Sequence, residues 1–334
     1  MSERPLDVAI VGCGLIGRKR AAALGCARLV ACADVDLARA EALAATAPGC
    51  RAFSDWKAML AEAPCDVVIV ATLHDTLAEI AAGAAAAGRH VLVEKPAGRR
   101  ADEVRQIAAA ADQAGVLVRV GFNHRYHRAF RKARELVDQG GLGEMMFIRG
   151  LYGHGGRIGY DREWRADPER SGGGELIDQG PHLIDLSRWF LGDFAKVDGF
   201  ARTYFWDMPV DDNGFMLLQT ASGTTAFLHA SCTEWKNTFS FEIYGRLGKL
   251  HVTGLGGSYG VERLTFYRML PEMGPPPTEA WEYPMADDSW AVEFAEFAED
   301  IRLGRRPAAG LPEAAAALAV IEQIYKASGY DHRP

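Results

Sequence analysis

The sequence predicts two domains of different architecture: an N-terminal α/β domain built on a doubly wound parallel sheet, and a C-terminal α+β domain with a large, mainly antiparallel open sheet. Strand-like and helix-like segments alternate up to residue 122, as they do when helices connect the strands of a parallel sheet. After residue 122, strand-like segments follow one another across short return turns, which indicates antiparallel pairing. We therefore expect domains at 1–122 and 123–334, with the C-terminal helices free to pack back toward the first domain.

The elements of the N-terminal domain follow from its hydrophobic pattern and its glycine stops. The strand predicted at 66–72 has no polar face, as expected when helices cover both sides of a sheet. Asp36 is placed to cap the alanine-rich helix that it begins. The predicted strands lie at 7–12, 28–34, 66–72, 90–96 and 116–122, and the predicted helices at 16–25, 36–47, 76–88 and 101–115.

The C-terminal domain is predicted to be rich in β-hairpins. Turns at 221–223 and 246–248 divide two of its apolar segments into antiparallel pairs. An antiparallel sheet of this breadth needs a cover for its outer face, and self-association of the chain into a homodimer or homotetramer is the simplest cover. The predicted segments are a helix at 128–143, a strand at 144–153, hairpins at 215–231 and 239–254, a strand at 261–269, a loop at 271–281, and helices at 289–304 and 311–329.

Composition excludes several classes of function. The 334 residues include 37 basic and 44 acidic side chains, a net charge of −7 that gives no general attraction for nucleic acid. No apolar run approaches the roughly 20 residues that span a bilayer, and the N-terminus lacks a secretory signal pattern, so we expect a cytoplasmic protein with no membrane partner. The cysteines lack the spacing of zinc ligands and are expected to be free thiols in a reducing compartment. They are Cys13, Cys26, Cys32, Cys50, Cys65 and Cys232.

A glycine-rich turn follows the first predicted strand. Gly12, Gly14 and Gly17 have the G-x-G-x-x-G spacing, directly between a strand and a helix. In a Rossmann domain the first glycine permits the tight turn, the second lets a pyrophosphate approach the backbone, and the third allows close packing of helix and strand. The helix N-terminus then faces the phosphates. The pattern in this context predicts a dinucleotide site.

An acidic residue at the end of the second strand indicates which dinucleotide is bound. Asp34 comes about 20 residues after Gly12, where a carboxylate accepts hydrogen bonds from the adenosine ribose hydroxyls and repels a 2′-phosphate. No arginine follows Asp34 immediately, although Arg39 lies one helical turn further on. The sequence therefore favours NAD over NADP.

The segment 172–186, GGGELIDQGPHLIDL, places polar residues inside an apolar helical pattern. Asp178, His182 and Asp185 would lie on one helix face, and Pro181 predicts a kink beside His182. One interpretation is a buried histidine satisfied by a nearby carboxylate. The other is a catalytic acid/base histidine oriented by an aspartate. A metal site formed by the three polar residues is a further alternative, which we disfavour because a lysine is a poor neighbour for a divalent ion.

Four motifs in order give the chain its resemblance to a known family. They are VGCGLIG (11–17), AT (71–72), VEKP (93–96) and the 172–186 segment. With them the chain resembles the Gfo/Idh/MocA oxidoreductases, named for glucose–fructose oxidoreductase and inositol dehydrogenase, over nearly its whole length. One loop departs from the family pattern. Leu73 and His74 replace the usual Pro-Asn, and Leu77 stands where many members carry histidine.

The resemblance implies a set of site residues. Lys95 is implied at the junction of nicotinamide and substrate, often beside a cis bond to Pro96, while Asp178 and His182 are implied as the acid/base pair. No metal is expected. The cofactor-binding candidates are Gly12, Gly14, Leu15, Ile16, Gly17, Asp34, Thr72, His74, Glu94, Lys95, Asn123, Trp164 and Arg165, and the substrate-binding candidates are Lys95, Arg125, Tyr152, Arg157, Asp178, His182 and Trp235.

The implied activity is NAD-dependent oxidation of a ring hydroxyl of a sugar, nucleotide sugar or cyclitol. His182, with a reference pKa of about 6.5, would take the hydroxyl proton, and Lys95 would hold the reacting oxygen. Two alternatives stay open. Some relatives use NAD in redox-neutral glycoside hydrolysis, and others are non-catalytic sensors of a ligand.

Overall fold

The computed structural model describes residues 4–330 of the chain, which separate into two compact units. The first unit extends from the N-terminal segment to Phe122 and also includes Trp290–Ala316. The second unit comprises Asn123–Ser289 and the chain from Ala317 onward. The first unit is thus built from two separate stretches of sequence.

The first unit contains a fully parallel six-stranded sheet in the order β3-β2-β1-β4-β5-β6. This order consists of two βαβ halves that diverge from β1 and β4, and it is the doubly wound arrangement that the sequence predicts. The strands are β1 (Asp7–Val11), β2 (Arg28–Ala33), β3 (Arg51–Phe53), β4 (Val67–Val70), β5 (His90–Val93) and β6 (Val118–Val120). The helices are α1 (Leu15–Ala22), α2 (Leu37–Ala44), α3 (Trp56–Glu62), α4 (His74–Ala86) and α5 (Ala101–Ala114).

The structure corrects the sequence prediction for this unit in two places. The short β3 and α3 were not predicted, because three or seven residues carry too little periodicity to be recognised. The strands predicted at 66–72 and 90–96 end two or three residues early, since the chain leaves the ladder at the carboxyl edge of the sheet. Thr72 and Lys95 therefore lie in loops at that edge, where ligands bind in folds of this type.

The second unit contains an eight-stranded sheet in the order β14-β13-β12-β11-β7-β10-β9-β8. Every neighbouring pair is antiparallel except β7 and β10, so the predicted open, mainly antiparallel sheet is confirmed. The strands are β7 (Met145–Gly153), β8 (Phe194–Arg202), β9 (Asn213–Thr220), β10 (Thr225–Ser231), β11 (Thr238–Gly245), β12 (Gly248–Thr253), β13 (Glu262–Arg268) and β14 (Thr278–Tyr283). Its helices α6 to α9 are Arg128–Asp138, Pro168–Ser171, Glu175–Asp178 and Gly180–Leu191.

Two edge strands of this sheet were not predicted. The segment 271–281 was expected to be a loop, but its last part belongs to β14, which pairs with β13. The other edge strand, β8, is mostly exposed or half-buried along its length. Edge strands with few buried residues lack the apolar alternation that identifies a strand in sequence, which explains both omissions.

The last two helices, α10 (Ser289–Leu303) and α11 (Leu311–Ser328), follow the sheet of the second unit along the chain. Phe294 and Phe297 of α10 belong to the same buried cluster as Ile10 of β1. The guanidinium of the fully buried Arg119 donates to Asp300 at 2.7 Å and to Glu296 at 2.8 Å. Apolar packing and a buried ion pair therefore both hold α10 in the first unit.

Candidate active site

The glycine-rich loop between β1 and α1 has the geometry of a dinucleotide site. Gly12 has a φ of +93°, and a Cβ there would lie 2.4 Å from the carbonyl oxygen of Ala71. A Cβ on Gly17 would lie 1.9 Å from the carbonyl oxygen of Gly12. In contrast, a Cβ on Gly14 would meet no atom of residues 4–330 within 4 Å. The first and third glycines are required by packing, and the second keeps the backbone open to a ligand.

The start of α1 suits an anionic ligand. Gly14 is the N-cap residue and, having no side chain, supplies no cap to the first backbone N–H groups of the helix. Leu15 is 63% exposed and Ile16 half-buried, so this turn is accessible. Unsatisfied N–H groups at a helix N-terminus, together with the helix dipole, favour binding of phosphate.

Asp34 follows β2 and contacts the glycine loop. Its carboxylate accepts hydrogen bonds from the backbone N–H of Cys13 at 2.8 Å and of Asp36 at 3.0 Å. These bonds fix the carboxylate at the loop, where ribose hydroxyls are expected. Arg39 pairs with Asp36 at 3.2 Å, so its charge is engaged by that carboxylate. The arrangement fits NAD.

The loops after β4 and β5 hold the next candidates. The Thr72 hydroxyl accepts a hydrogen bond from the Thr76 hydroxyl at 2.9 Å, and the buried His74 begins α4. Leu77, which departs from the family pattern, is fully buried on the same helix. Lys95 is half-buried after β5, and its bond to Pro96 is cis, as the resemblance implied. A cofactor contact for each of these residues stays a prediction.

Glu94, immediately before Lys95, belongs to a buried ionic cluster. Arg20 donates to Glu94 at 2.6 Å and to Glu293 at 2.5 Å, and its guanidinium lies 4.4 Å from the centre of the Trp290 ring. Burial raises the pKa of Glu293, and the neighbouring Glu94 adds to this although Arg20 opposes it. The Glu94 carboxylate thus has a structural partner, which sequence reasoning missed because Arg20 and Glu293 are 273 residues apart.

The segment that carries Asp178 and His182 is a broken helix in the second unit. The sequence predicted one helix with a kink beside His182, but α8 ends at Asp178 and α9 begins at Gly180. Pro181 occupies the first turn of α9, where its missing N–H costs no hydrogen bond. The proline therefore starts a new helix instead of bending a continuous one, and the break falls between the two catalytic candidates.

Asp178 pairs with an arginine from the predicted cofactor-binding set. The Nε of Arg165 donates to its carboxylate at 2.9 Å. Burial lowers the pKa of Arg165, but the Asp178 carboxylate outweighs this effect and the net pKa is raised. The guanidinium also lies 4.6 Å from the centre of the Trp164 ring. The structure thus brings Arg165 to Asp178, and the Trp164 ring lies against the guanidinium that holds the carboxylate.

His182 lies in a cluster of aromatic rings. Its imidazole stacks on His124, with ring centres 3.8 Å apart and planes 14° apart. The Tyr152 ring centre is 5.1 Å from His124 and 6.1 Å from His182. Burial raises the pKa of Tyr152 well above its usual value, so this phenol stays protonated. The structure therefore brings Tyr152 together with His182, and it adds His124, which the sequence did not single out although it stands between two candidates.

The other polar residues of the segment have structural partners. Asp185 receives two hydrogen bonds from Arg125, at 2.7 and 2.5 Å, and both side chains are buried. We expected Arg125 to contact substrate. Its guanidinium satisfies the buried carboxylate of Asp185, because an unpaired charge in the core is costly, and a contact with substrate stays a prediction. Asn123 is also buried and donates to the Ser289 hydroxyl at 2.9 Å.

Two further substrate candidates lie on the surface. The Arg157 side chain is 66% exposed and pairs with Glu163 at 2.7 Å. Trp235 is 65% exposed, has a φ of +56°, and its ring lies 4.6 Å from that of Phe205. These exposed side chains differ from the buried Tyr152, and a substrate role for them stays a prediction.

Glu175 is a buried carboxylate that the sequence analysis did not single out. Glu175 is 1% exposed and accepts a hydrogen bond from the Tyr160 hydroxyl at 3.2 Å. Its carboxylate also lies 3.3 Å from Nε2 of His154. Burial lowers the pKa of His154, but Glu175 outweighs it and the net pKa is raised. The only sequence signal was a glutamate in an apolar segment.

Two features that other classes of function require are absent from residues 4–330. Within that range no three histidine, cysteine, aspartate or glutamate side chains are arranged to hold a metal ion. No helix in the same range has the length and apolar character needed to cross a membrane.

Two protein families match the chain in sequence. Residues 6–122 match the oxidoreductase family with an NAD-binding Rossmann fold, and residues 130–251 match the GFO/IDH/MocA C-terminal domain. The chain belongs to the Gfo/Idh/MocA oxidoreductase family. Its cofactor is accordingly NAD or a close analogue, as the glycine loop and Asp34 predicted.

Several proteins are similar to this family member. Levoglucosan dehydrogenase of Pseudarthrobacter phenanthrenivorans is 30% identical over 180 residues, which are 51% of this chain and 44% of that protein. Inositol 2-dehydrogenase of Rhizobium meliloti is 31% identical over 233 residues, or 66% and 67% of the two chains. The matches thus span about half to two thirds of these curated relatives. The crystal structure of GenD2 from gentamicin A biosynthesis, in complex with NAD, is 28% identical with a TM-score of 0.83 and covers 100% of this chain and 96% of its own.

Proposed function

We propose that this protein is an NAD-dependent dehydrogenase that oxidises a ring hydroxyl of a sugar, nucleotide sugar or cyclitol. The observation that carries the proposal is the buried His182, stacked on His124 in the segment where Arg165 holds Asp178. The glycine loop with Asp34 supports the choice of NAD. Two relatives are named for levoglucosan and for inositol, which supports the substrate class.

His182 is assigned the proton transfer. Oxidation of an alcohol removes the hydroxyl proton and a hydride from the same carbon, and a ring nitrogen of His182 accepts that proton. Imidazole is suited to this step because its ordinary pKa lies near neutrality. Stacking on His124 limits rotation of the ring, and Asp178 stabilises the imidazolium that forms. Tyr152 offers an aromatic face and a hydroxyl, both of which suit a polyhydroxylated ring.

Lys95 is assigned to the reacting oxygen. Its ammonium group donates a hydrogen bond to the substrate hydroxyl and stabilises the negative charge that develops there. The cofactor, when bound, supplies the hydride acceptor. The loop from Gly12 to Gly17 would hold its phosphates and Asp34 its ribose hydroxyls, with Thr72, His74, Asn123 and Trp164 as further contacts.

The decisive experiment follows absorbance of reduced nicotinamide. The protein is incubated with NAD⁺ and a panel of sugars, sugar phosphates, nucleotide sugars and cyclitols at mildly alkaline pH. A rise in absorbance with one class, absent in the His182→Asn variant, is the expected result. Product formation from a glycoside without net NADH would support the hydrolase instead. NADH binding with no product from any compound in the panel would support the sensor.

We also propose that the protein is a cytoplasmic homodimer or homotetramer that associates through the sheet of the second unit. Leu217 and Phe227 face each other across β9 and β10 and are 49% and 52% exposed. Phe200, 47% exposed, pairs with Phe215 on the same face. A charged substitution, Leu217→Glu, should reduce the mass measured by light scattering to that of a monomer, and an unchanged mass would contradict this interface.

A further inference from the structure

Two cysteines of the first unit bring their thiols close together. Cys32 is fully buried in β2, and Cys50 is half-buried immediately before β3. The two Sγ atoms are 3.7 Å apart. Strands β2 and β3 are neighbours in the sheet, with Cys32 opposite Ala52, so the pairing of the strands keeps the thiols close.

The two thiols are chemically unequal. The hydrogen bond with Cys32 lowers the pKa of Cys50, although partial burial opposes this. Hydrogen bonds to Cys13 and Cys50, together with burial, raise the pKa of Cys32. Cys50, the more acidic thiol and the one that solvent reaches, is therefore the group that reacts first with an oxidant, because the thiolate is the nucleophile.

This thiol pair is directly connected to the cofactor loop. The Cys13 thiol, within the G-x-G-x-x-G turn, donates to the carbonyl oxygen of Ala33 at 3.5 Å and interacts with Cys32. The Cys13 backbone N–H is bound by Asp34, two residues after Cys32. A displacement of Cys32 would therefore move the residues that we assign to the adenosine ribose.

We propose that Cys32 and Cys50 form a reversible disulfide under a peroxide oxidant, and that this disulfide weakens dinucleotide binding. The Cys50 thiolate attacks hydrogen peroxide and becomes a sulfenic acid. The Cys32 sulfur then displaces its hydroxyl group, which leaves as water with the Cys32 proton. Overall, two thiols lose two electrons and two protons, and one peroxide becomes two waters.

Formation of the bond requires a local movement. The sulfur atoms must approach from 3.7 Å to the roughly 2.05 Å of a disulfide. Cys50 adjoins only the three-residue β3, whereas Cys32 lies within β2, which is hydrogen-bonded to a strand on each side. Most of the movement is therefore made by Cys50, and the remainder shifts the end of β2. This shift at the end of β2 moves Asp34 and the glycine loop with it.

The test uses the full-length protein with hydrogen peroxide as the probe. After oxidation, peptide mapping without reductant should show a Cys32–Cys50 cross-link, and two of the six free thiols should disappear. The dissociation constant for NADH, measured by fluorescence, should rise about fivefold or more, the lower range of couplings between sites. Dithiothreitol should restore both the number of free thiols and the dissociation constant for NADH.

Two variants serve as comparisons. Cys50→Ser replaces a half-buried thiol with little risk to folding and should abolish the cross-link and the change in NADH affinity. Cys26→Ser removes an exposed thiol of the same unit and should leave both intact. Absence of the Cys32–Cys50 peptide from oxidised wild-type protein would overturn the proposal. A cross-link with unchanged NADH affinity would overturn its coupling to the cofactor. Because binding is measured without a sugar, failure of the proposed dehydrogenase activity would not affect this result.

Discussion

The imidazole rings of His124 and His182 lie parallel, with their centres 3.8 Å apart. His124 belongs to a 3-10 helix at Asn123–Tyr126, and His182 lies in the first turn of α9. Two elements that are distant in sequence thus hold the two sides of one stack. Because both rings are buried, the stack fixes the plane in which His182 presents its nitrogens.

Removal of the His182 imidazole should abolish turnover without weakening cofactor binding. His182→Asn is expected to lower kcat by about 10²- to 10⁴-fold, the usual contribution of a general acid or base. The matched control is His229→Asn, since His229 is also stacked on an aromatic ring, Phe215, at 4.2 Å but lies on the outer sheet face. Steady-state rates and NADH titration check this. Equal loss of both properties in His182→Asn would show a structural role.

The stacking role of His124 can be separated from any role of its ring nitrogens. His124→Ala should lower kcat roughly tenfold, because a loosened His182 spends less time in the productive orientation. His124→Phe keeps a flat ring beside His182 and should retain most of the rate. Both variants should bind NADH as the wild type does. If His124→Phe is as slow as His124→Ala, the ring nitrogens of His124 matter and its plane does not.

Asp34 should control the choice between NAD and NADP. Asp34→Ala removes the carboxylate that would bind two ribose hydroxyls, so the dissociation constant of NADH should rise about tenfold or more. The affinity for NADPH should change less, because the lost carboxylate also repels a 2′-phosphate. Asp55→Ala is the control, since Asp55 likewise accepts two backbone N–H groups but at the start of α3. Equal losses for NADH and NADPH would contradict this assignment.

Arg20 should be essential for the stability of the first unit. Arg20→Met leaves Glu94 and Glu293 buried without their shared cation and should lower the free energy of unfolding by about 3–5 kcal/mol. Arg28→Met removes an exposed ion pair with Asp7 and should cost less than about 1 kcal/mol. Urea denaturation of both variants measures the difference. Similar losses would mean that the cluster is replaceable by apolar contacts.

Asp211 should make stability depend on pH. Burial raises its pKa to about 6, even though Tyr325 and the backbone N–H groups of Leu176 and Gly174 favour the charged form. A carboxyl whose folded pKa is raised contributes stability that is present below about pH 4 and is lost as pH rises through about 6. Asp211→Asn should therefore flatten the stability profile between these values. A wild-type profile that is no steeper than that of the variant would contradict this.

Local patterns in the sequence predicted much of the fold and of the dinucleotide site. The glycine spacing, Asp34 and the alternation of strands and helices are short-range features, and each has the expected place in the structure. The identity of His182 as a candidate came from a motif of 15 residues. These features depend on neighbours in sequence, so a single chain is enough to recognise them.

Partners that are distant in sequence could not be predicted. Arg125 and Asp185 are 60 residues apart, and nothing near either residue indicates their pairing. The same holds for Arg165 with Asp178, which are 13 positions apart. Arg125 was assigned to substrate because the segment 121–127 resembles a family segment that reaches into the cleft, and that assignment stays a prediction. The break at Gln179 was missed for a local reason, because a proline in a helical pattern permits either a bend or a new start.

The return of Trp290–Ala316 to the first unit has a consequence for biosynthesis. All six strands of the parallel sheet leave the ribosome early, yet Phe294 and Phe297, which complete their core, follow roughly 170 residues later. At ordinary translation rates this delay is on the order of ten to thirty seconds. During that time Ile10 and its neighbours lack part of their cover, and the nascent chain offers an apolar surface that chaperones can recognise.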